Sequence, residues 1–132
     1  LKLLRLVAYS YLIGNGDLHG KNVSVRIVEG RVELTPAYDL LSTLPYGDTR
    51  MALKLDGRDA RLGRRSFVAL GERFAVPARA VEAMLDDLLT ALAPLIGRER
   101  LDEIGLERRK TEALARALKS RADGLAKSMR SR

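Results

Sequence analysis

The chain has 132 residues, of which 46% are hydrophobic and 31% charged, and its formal net charge is +7. That length is sufficient for one ordinary domain with its own core. The absence of cysteine excludes disulfides, zinc–thiolate sites and thiol nucleophiles, and the single histidine excludes a multi-histidine metal site.

Residues 1–13 are predicted to form a helix, because apolar side chains recur at three- and four-residue spacing. The apolar stripe consists of Leu4, Val7, Ala8, Tyr11 and Leu12. Gly14 and Gly16 follow, and we expect them to end the helix, since glycine adopts the left-handed conformation without a Cβ penalty. The first residue is Leu rather than Met, so we expect a piece of a longer protein, cut within or just before this helix.

Two short strands are predicted at residues 23–28 and 31–35, because apolar and polar residues alternate in both. A two-residue turn joins them into an antiparallel hairpin, and the alternation predicts that one apolar face is buried. Pro36 ends the second strand because it has no N–H to donate. Antiparallel pairing brings the residues just outside the hairpin side by side, so we expect Asn22 and Asp39 to be neighbours.

The rest of the chain is predicted to be mainly helical, with its basic charge concentrated near the C-terminus. The predicted elements are a helical turn at 40–44 closed by Pro45, a short strand or extended segment at 51–55, a helix at 64–74, a helix from 77 that Pro94 should kink or end, a short helix at 98–105 and a last helix at 107–128. Residues 98–132 carry 11 Lys and Arg against 6 Asp and Glu, which leaves a nucleic-acid surface open. No aromatic residues interleave with this charge for base stacking, and a solvated helix surface is the other interpretation.

The polar loop at 14–22 lies between two apolar segments, which is the usual arrangement of a catalytic or binding loop. Asp17 and Asn22 stand five residues apart in it, and Asp39 follows after the hairpin. Protein kinases use this arrangement for phosphoryl transfer from ATP: one Asp orients the substrate hydroxyl, and an Asn and a second Asp bind magnesium. Hard cations are needed beside the transferring phosphoryl group, and oxygen ligands suit Mg²⁺. A D-x-x-x-x-N spacing alone is a weak signal.

The joint pattern is more specific, and it is carried by residues 12–22 (LIGNGDLHGKN), 34–43 (LTPAYDLLST) and 51–57 (MALKLDG). Together they resemble the C-terminal lobe of HipA-type serine/threonine kinases, the toxin halves of bacterial toxin–antitoxin pairs. The motifs cover about residues 9–57, and the helical residues 64–132 fit that lobe only in pattern. The resemblance implies a mainly α fold with a short β-hairpin, a protein-kinase-like C-terminal lobe spanning 1–132.

The resemblance also implies roles for individual residues. Asp17 corresponds to the catalytic Asp, and Asn22 and Asp39 correspond to the ligands of Mg²⁺ in the ATP site. His19 and Lys21 are candidates for steadying the γ-phosphate. Gly16 stands where Thr is common in the family, a departure that we expect to loosen the turn.

Structural alternatives accompany these roles. Tyr38 is a candidate contact with ATP, but core packing is the simpler interpretation. Asp39 could cap a helix starting at residue 40, and Asn22 could form an Asx-turn. His19 could be a structural histidine that hydrogen-bonds the loop backbone.

No glycine-rich phosphate loop and no strand lysine occur in the sequence. By the resemblance, these belong to an N-terminal lobe that is absent here, so we expect this chain to transfer phosphate hardly at all on its own. The resemblance implies a protein substrate, an aminoacyl-tRNA synthetase in the best-known members. It also implies a HipB-like DNA-binding antitoxin partner and DNA contact only through that antitoxin. A noncatalytic pseudokinase or a basic binding module is the alternative.

No apolar run is long enough to span a bilayer. Together with the absence of cysteine, this predicts a cytoplasmic protein with no membrane partner. A nuclease built on His19 and Asn22 is disfavoured, because no second histidine could complete its metal site.

Overall fold

The computed structural model describes residues 1–55, 57–96 and 98–126. Within these ranges the chain is mainly helical and contains one antiparallel hairpin, as predicted. The elements, in chain order, are α1 (Lys2–Ile13), β1 (Val25–Val28), β2 (Arg31–Leu34), α2 (Arg64–Arg73), α3 (Ala78–Ile96), α4 (Arg98–Asp102) and α5 (Arg108–Ala126), with 3₁₀ turns at Gly20–Asn22 and Leu44–Tyr46.

Helix α1 lies at the centre of the helical packing, against α2, α3 and α5. Its predicted stripe is confirmed, because all five side chains are buried in the main core: Leu4, Val7, Ala8, Tyr11 and Leu12. Gly14 ends the helix in the left-handed conformation, with φ 75°. A core packed around α1 therefore fixes the point from which the polar loop departs.

The other helices follow the sequence patterns with shifted ends. Pro94 was expected to kink or end this helix, and α3 in fact continues past it to Ile96. The predicted last helix is α5, and the predicted residues 127 and 128 lie outside the described part of the chain.

The hairpin forms in the predicted place, with Val25 paired to Leu34 and Ile27 paired to Val32. The prediction that its apolar face is buried is wrong: Val25, Ile27 and Val32 are 62%, 77% and 71% exposed. Cross-strand partners point to the same side of a sheet, so these side chains form one outward apolar surface. Alternation identifies residues that share a face, but it does not say which face the rest of the protein covers.

Two further predictions fail between the hairpin and α2. Residues 40–43 form no helical turn; the turn lies later, at Leu44–Tyr46, and contains Pro45. No strand forms at 51–55, where a short strand or extended segment was predicted; the segment makes only an isolated bridge between Leu55 and Arg58. Met51 and Leu55 are nevertheless buried in the main core, so the segment is anchored by side-chain packing.

Candidate functional site: a loop and hairpin that join Asp17, His19, Asn22 and Asp39

The polar loop begins with a compact turn at the end of α1. The Asn15 N–H donates to the Ser10 carbonyl at 2.8 Å, and the Asn15 side chain is almost fully buried. Its Oδ1 accepts a hydrogen bond from the Asp17 N–H at 2.9 Å. A buried amide with a backbone partner has little freedom to move, so Asn15 fixes the backbone from which the Asp17 side chain projects.

The Asp17 and His19 side chains point toward solvent from either side of a buried anchor. Leu18 is 1% exposed and packs in the main core, whereas the Asp17 and His19 side chains are 59% and 45% exposed. Asp17 Oδ1 and His19 Nε2 lie 3.9 Å apart. That separation is too long for a hydrogen bond, so the two groups are neighbours without a fixed link.

Asn22 and Asp39 are brought together as the hairpin geometry predicts. Asn22 Nδ2 donates to Asp39 Oδ2 at 2.9 Å, and Asn22 Oδ1 accepts from the His19 N–H at 3.2 Å. These two contacts orient the amide, with its nitrogen toward the carboxylate and its oxygen toward the loop backbone. Asn22 is buried and Asp39 is exposed. The fixed Asn22 amide therefore holds the solvent-facing Asp39 carboxylate.

The backbone at Asp39 is itself unusual, with φ 55° in the left-handed region. Asp tolerates this region better than most residues, and such conformations persist where the surrounding contacts require them. No helix starts at residue 40, so the interpretation of Asp39 as a helix cap is wrong. The conformation instead turns the Asp39 carboxylate toward Asn22.

Tyr38 contacts the backbone of Lys21 rather than its ammonium group. The Tyr38 hydroxyl donates to the Lys21 carbonyl at 2.8 Å and lies 2.8 Å from Ser24 Oγ. Tyr38 is 42% exposed, so the interpretation as a core residue is wrong. Its contact ties the segment that carries Asp39 to the 3₁₀ turn that carries Asn22, while the Lys21 residue stays exposed.

Gly16 is packed more tightly than its predicted role suggested. A Cβ built there would lie 2.6 Å from Thr43 Oγ1 and 2.7 Å from the Arg50 carbonyl, and it would also meet the Asp48 carboxylate. Thr43 Oγ1 accepts from the Gly16 N–H at 2.9 Å and lies 3.1 Å from the Gly14 carbonyl, to which it donates. The expected loosening is therefore not found, because glycine here permits close contact between the loop and residues 43–50.

Asn22 and Asp39 carry side-chain oxygens, which are the ligand type that a magnesium ion prefers. Mg²⁺ takes oxygen ligands and is usually held by one or two protein groups, with waters and substrate phosphates completing its shell. Asp39 offers a carboxylate, and Asn22 Oδ1 keeps one lone pair beyond its bond to the His19 N–H. The described residues contain no group of three or more acidic or histidine side chains around a common point, so such an ion would draw its other ligands from outside this set.

A cavity lies beside these residues rather than among them. It has a volume of about 480 Å³ and lies between α1, the hairpin and residues 35–40. Asn22 lines it, but Asp17, His19 and Asp39 do not. The cavity is therefore not the space in which the four polar residues would act together.

Sequence reasoning missed two residues that shape this site, Asn15 and Thr43. Asn15 lies inside the polar loop, and an Asn in a loop often forms an Asx-turn, in which its side chain accepts from the N–H two residues later. Thr43 bridges the loop from 29 residues away, and no local pattern marks such a contact.

The comparisons with known proteins agree with this arrangement of helices, loop and hairpin. The family model described as the HipA-like C-terminal domain matches residues 1–95. That is more than half of the chain, and the chain therefore belongs to the HipA-like C-terminal domain family. The resemblance noted in residues 12–22 and 34–43 is confirmed.

Its curated relatives carry kinase names. The chain is 40% identical over 60 residues to “Putative kinase Y4mE” and 52% identical over 46 residues to “Putative kinase Y4dM”, both from Sinorhizobium fredii. These matches cover 44% and 34% of this chain but 14% and 11% of the relatives. A “Putative kinase” from Haemophilus influenzae is 36% identical over 63 residues, 44% of this chain and 18% of that protein. The chain thus spans less than a fifth of the length of the curated relatives it matches.

Among solved structures, the chain resembles a chain of the toxin–antitoxin complex of HipA, HipB and operator DNA from Shewanella oneidensis. The TM-score is 0.61 at 21% identity, over 92% of this chain and 29% of that one. This likeness extends the shared fold beyond residue 95, through most of the helical part. No helix among the described residues is both long and apolar enough to cross a membrane.

Proposed function

We propose that this chain is the C-terminal catalytic lobe of a HipA-like serine/threonine protein kinase, spanning residues 1–132 in a larger toxin of a toxin–antitoxin pair. The reaction is transfer of the ATP γ-phosphate to a protein hydroxyl. The observation that carries the proposal is the Asn22–Asp39 hydrogen bond, 2.9 Å long across the base of the hairpin. It joins the two residues that a magnesium site of this kind requires.

Asn22 and Asp39 would hold Mg²⁺ in the proposed site. When bound, Mg²⁺·ATP supplies the phosphoryl group together with neutralisation of the charge on its oxygens. The contribution of Asn22 is orientation, because its amide is fixed by the His19 N–H on one side and by the Asp39 carboxylate on the other. Asp39 supplies the negative charge at the exposed end of that pair.

Asp17 orients the hydroxyl of the protein substrate and accepts its proton. Its side chain is exposed on a backbone held by the buried Asn15, and a general base of this kind must be accessible and well positioned. His19 and Lys21 place positive charge or hydrogen-bond donors near the transferring phosphate. Tyr38 contributes by holding the two segments together through the Lys21 carbonyl, with a contact to ATP as its second proposed role.

An N-terminal lobe would complete the ATP cleft, and without it the 132-residue chain transfers phosphate hardly at all. The likeness to HipA in a complex with HipB and operator DNA supports a HipB-like antitoxin as partner, with DNA contacted through the antitoxin. The protein substrate is of the class that family members modify, such as an aminoacyl-tRNA synthetase, in the cytoplasm.

The test uses the full-length protein with Mg²⁺ and radiolabelled ATP, and it measures autophosphorylation and phosphate transfer. Asp17→Asn is expected to lower kcat by roughly 10²–10⁴-fold, the usual contribution of a positioned acid–base group. Asp39→Asn is expected to weaken the dependence on Mg²⁺ as well as the rate. Asp87→Asn is the matched control, because Asp87 is exposed on α3 and pairs with Arg5 instead.

Unchanged phosphorylation in both variants would remove Asp17 and Asp39 from the proposed roles. A wild-type protein that binds Mg²⁺·ATP but transfers nothing would instead indicate a pseudokinase.

A further inference from the structure

Arg121 reaches from the last described helix back to the start of the polar loop. It lies on α5, beyond residues 1–95, which the family model matches. Its Nη1 donates to the Tyr11 carbonyl at 2.6 Å, and its Nη2 donates to the Thr49 carbonyl at 2.7 Å. The guanidinium carbon also lies 4.8 Å from the centre of the Tyr11 ring. One planar side chain thus contacts two segments that are far apart in sequence.

The first contact closes the C-terminal end of α1. The last carbonyls of a helix lack partners within it and carry partial negative charge, so a cation placed there is stabilising. The last turn of α1 contains no basic residue of its own, and Arg121 supplies that cation from α5. Burial lowers the pKa of Arg121, while Tyr11 and the Asp48 carboxylate oppose this shift; the guanidinium remains charged at neutral pH.

The second contact holds residues 48–50 in place. Thr49 lies between Asp48 and Arg50, the two residues whose atoms fill the space beside Gly16. The Asp48 carbonyl lies 3.2 Å from Thr43 Oγ1, which accepts from the Gly16 N–H. A displacement of Thr49 would therefore reach the backbone immediately before Asp17.

We propose that Arg121 is a positioning residue that clamps the end of α1 to residues 48–50 and so fixes the loop that carries Asp17. The function of this clamp rests on the proposed kinase activity, but its structural effect does not. Lysine cannot replace it fully, because one ammonium group cannot reproduce a planar fork that donates to two carbonyls and stacks on a ring. The clamp acts on Asp17 through the backbone and has no direct contact with the substrate.

The experiment compares Arg121→Met and Arg121→Lys in the full-length protein, with Arg116→Met as control, since Arg116 is exposed on the same helix. Hydrogen exchange followed by mass spectrometry reports on peptides covering 10–18, 43–50 and 64–96, and steady-state kinetics reports kcat and KM for ATP. We expect Arg121→Met to raise exchange in the first two peptides and leave the third unchanged. We also expect kcat to fall roughly 10- to 100-fold, as for small displacements of catalytic groups, with KM for ATP within about twofold. For Arg121→Lys, we expect hydrogen exchange in the first two peptides and kcat to lie between the values of wild type and Arg121→Met.

The outcomes separate the clamp from the kinase proposal. Unchanged exchange at 10–18 in Arg121→Met overturns the clamp, whatever the activity. If the wild-type protein lacks kinase activity, the proposed function fails, and the exchange measurement still decides whether the clamp exists. If Arg121→Met raises exchange everywhere through global unfolding, the decision passes to Arg121→Lys. Increased exchange confined to 10–18 and 43–50 in that variant supports the clamp, and its absence overturns it.

Discussion

The contact between Asn22 and Asp39 can be tested without any assay of activity, by the substitution Asn22→Asp. The change keeps the shape of the side chain and the oxygen that accepts from the His19 N–H. It replaces the amide nitrogen that donates to Asp39 with a second carboxylate oxygen. A favourable hydrogen bond thereby becomes a repulsion between two negative charges.

The magnitude follows from the 2.9 Å separation. Two like charges at that distance repel by about 1.4 kcal/mol in bulk water and by about 6 kcal/mol at an effective dielectric constant of about 20. Because Asp39 is exposed, solvent screening favours the lower part of this range. We expect a destabilisation of roughly 1.5–3 kcal/mol at neutral pH, including the lost hydrogen bond.

The repulsion also predicts the direction of the pH dependence. A neighbouring carboxylate raises the pKa of the introduced carboxyl above its ordinary value of about 3.9. A raised carboxyl pKa gives a contribution to stability that is complete below the ordinary pKa and is lost as pH rises through the raised value. The free energy of unfolding of Asn22→Asp should therefore approach that of wild type near about pH 4 and fall below it by about pH 7.

Urea unfolding at about pH 4 and about pH 7, with and without Mg²⁺, measures both effects. Mg²⁺ should stabilise Asn22→Asp more than wild type, because two adjacent carboxylates form a stronger oxygen site. The double variant Asn22→Asp/Asp39→Asn is the control; it restores one donor and one acceptor and should recover more than half of the loss. A difference between Asn22→Asp and wild type that depends on neither pH nor Mg²⁺ would mean that the two side chains do not touch in solution.

Three further predictions concern the packing around the site. Arg64→Met should lower the free energy of unfolding in urea by about 2–4 kcal/mol, because the buried Arg64 guanidinium bonds the Leu125 and Glu82 carbonyls and pairs with Asp86; a loss below about 0.5 kcal/mol would contradict this. Gly16→Ala should cost about 1–3 kcal/mol in the same assay, because its Cβ would meet backbone at 2.7 Å, and an unchanged urea midpoint would mean that residues 43–50 stand further from the loop. Burial raises the pKa of Tyr11, although the nearby Arg121 guanidinium opposes the shift. The stability that this raised pKa contributes is complete below about pH 10 and is lost as pH rises further. Between about pH 9 and about pH 11, wild type should therefore lose more stability than Tyr11→Phe. Equal losses in the two proteins would show that the pKa of Tyr11 is not raised by folding.

The predictions from sequence were most accurate where a periodic pattern of apolar residues is followed by a recognisable turn. Periodic apolar residues and Gly14 placed α1 and its end correctly. The hairpin was found from alternation, and its closure correctly predicted that Asn22 and Asp39 are neighbours. The roles assigned to Asp17, His19 and Lys21 stay predictions.

The parts that sequence reasoning missed depend on contacts across long sequence separations. Arg121 and Tyr11 stand 110 residues apart, and an arginine on an amphipathic helix looks the same whether it faces solvent or two carbonyls. Arg64 is another case, since its charge suggests exposure whereas its side chain is buried among helices. The wrong prediction that the apolar face of the hairpin is buried has a related cause, because burial depends on what packs against a strand.

The outward apolar face of the hairpin has a consequence for the behaviour of this chain at high concentration. The sheet has only two strands in the described part of the chain, so each strand leaves one backbone edge available to another molecule. Unprotected edges beside apolar side chains promote edge-to-edge pairing between molecules, and Val25, Ile27 and Val32 provide such side chains. The apparent molar mass of the isolated chain from light scattering should therefore rise with concentration, and Ile27→Lys, which places a charge on the sheet surface, should keep it constant.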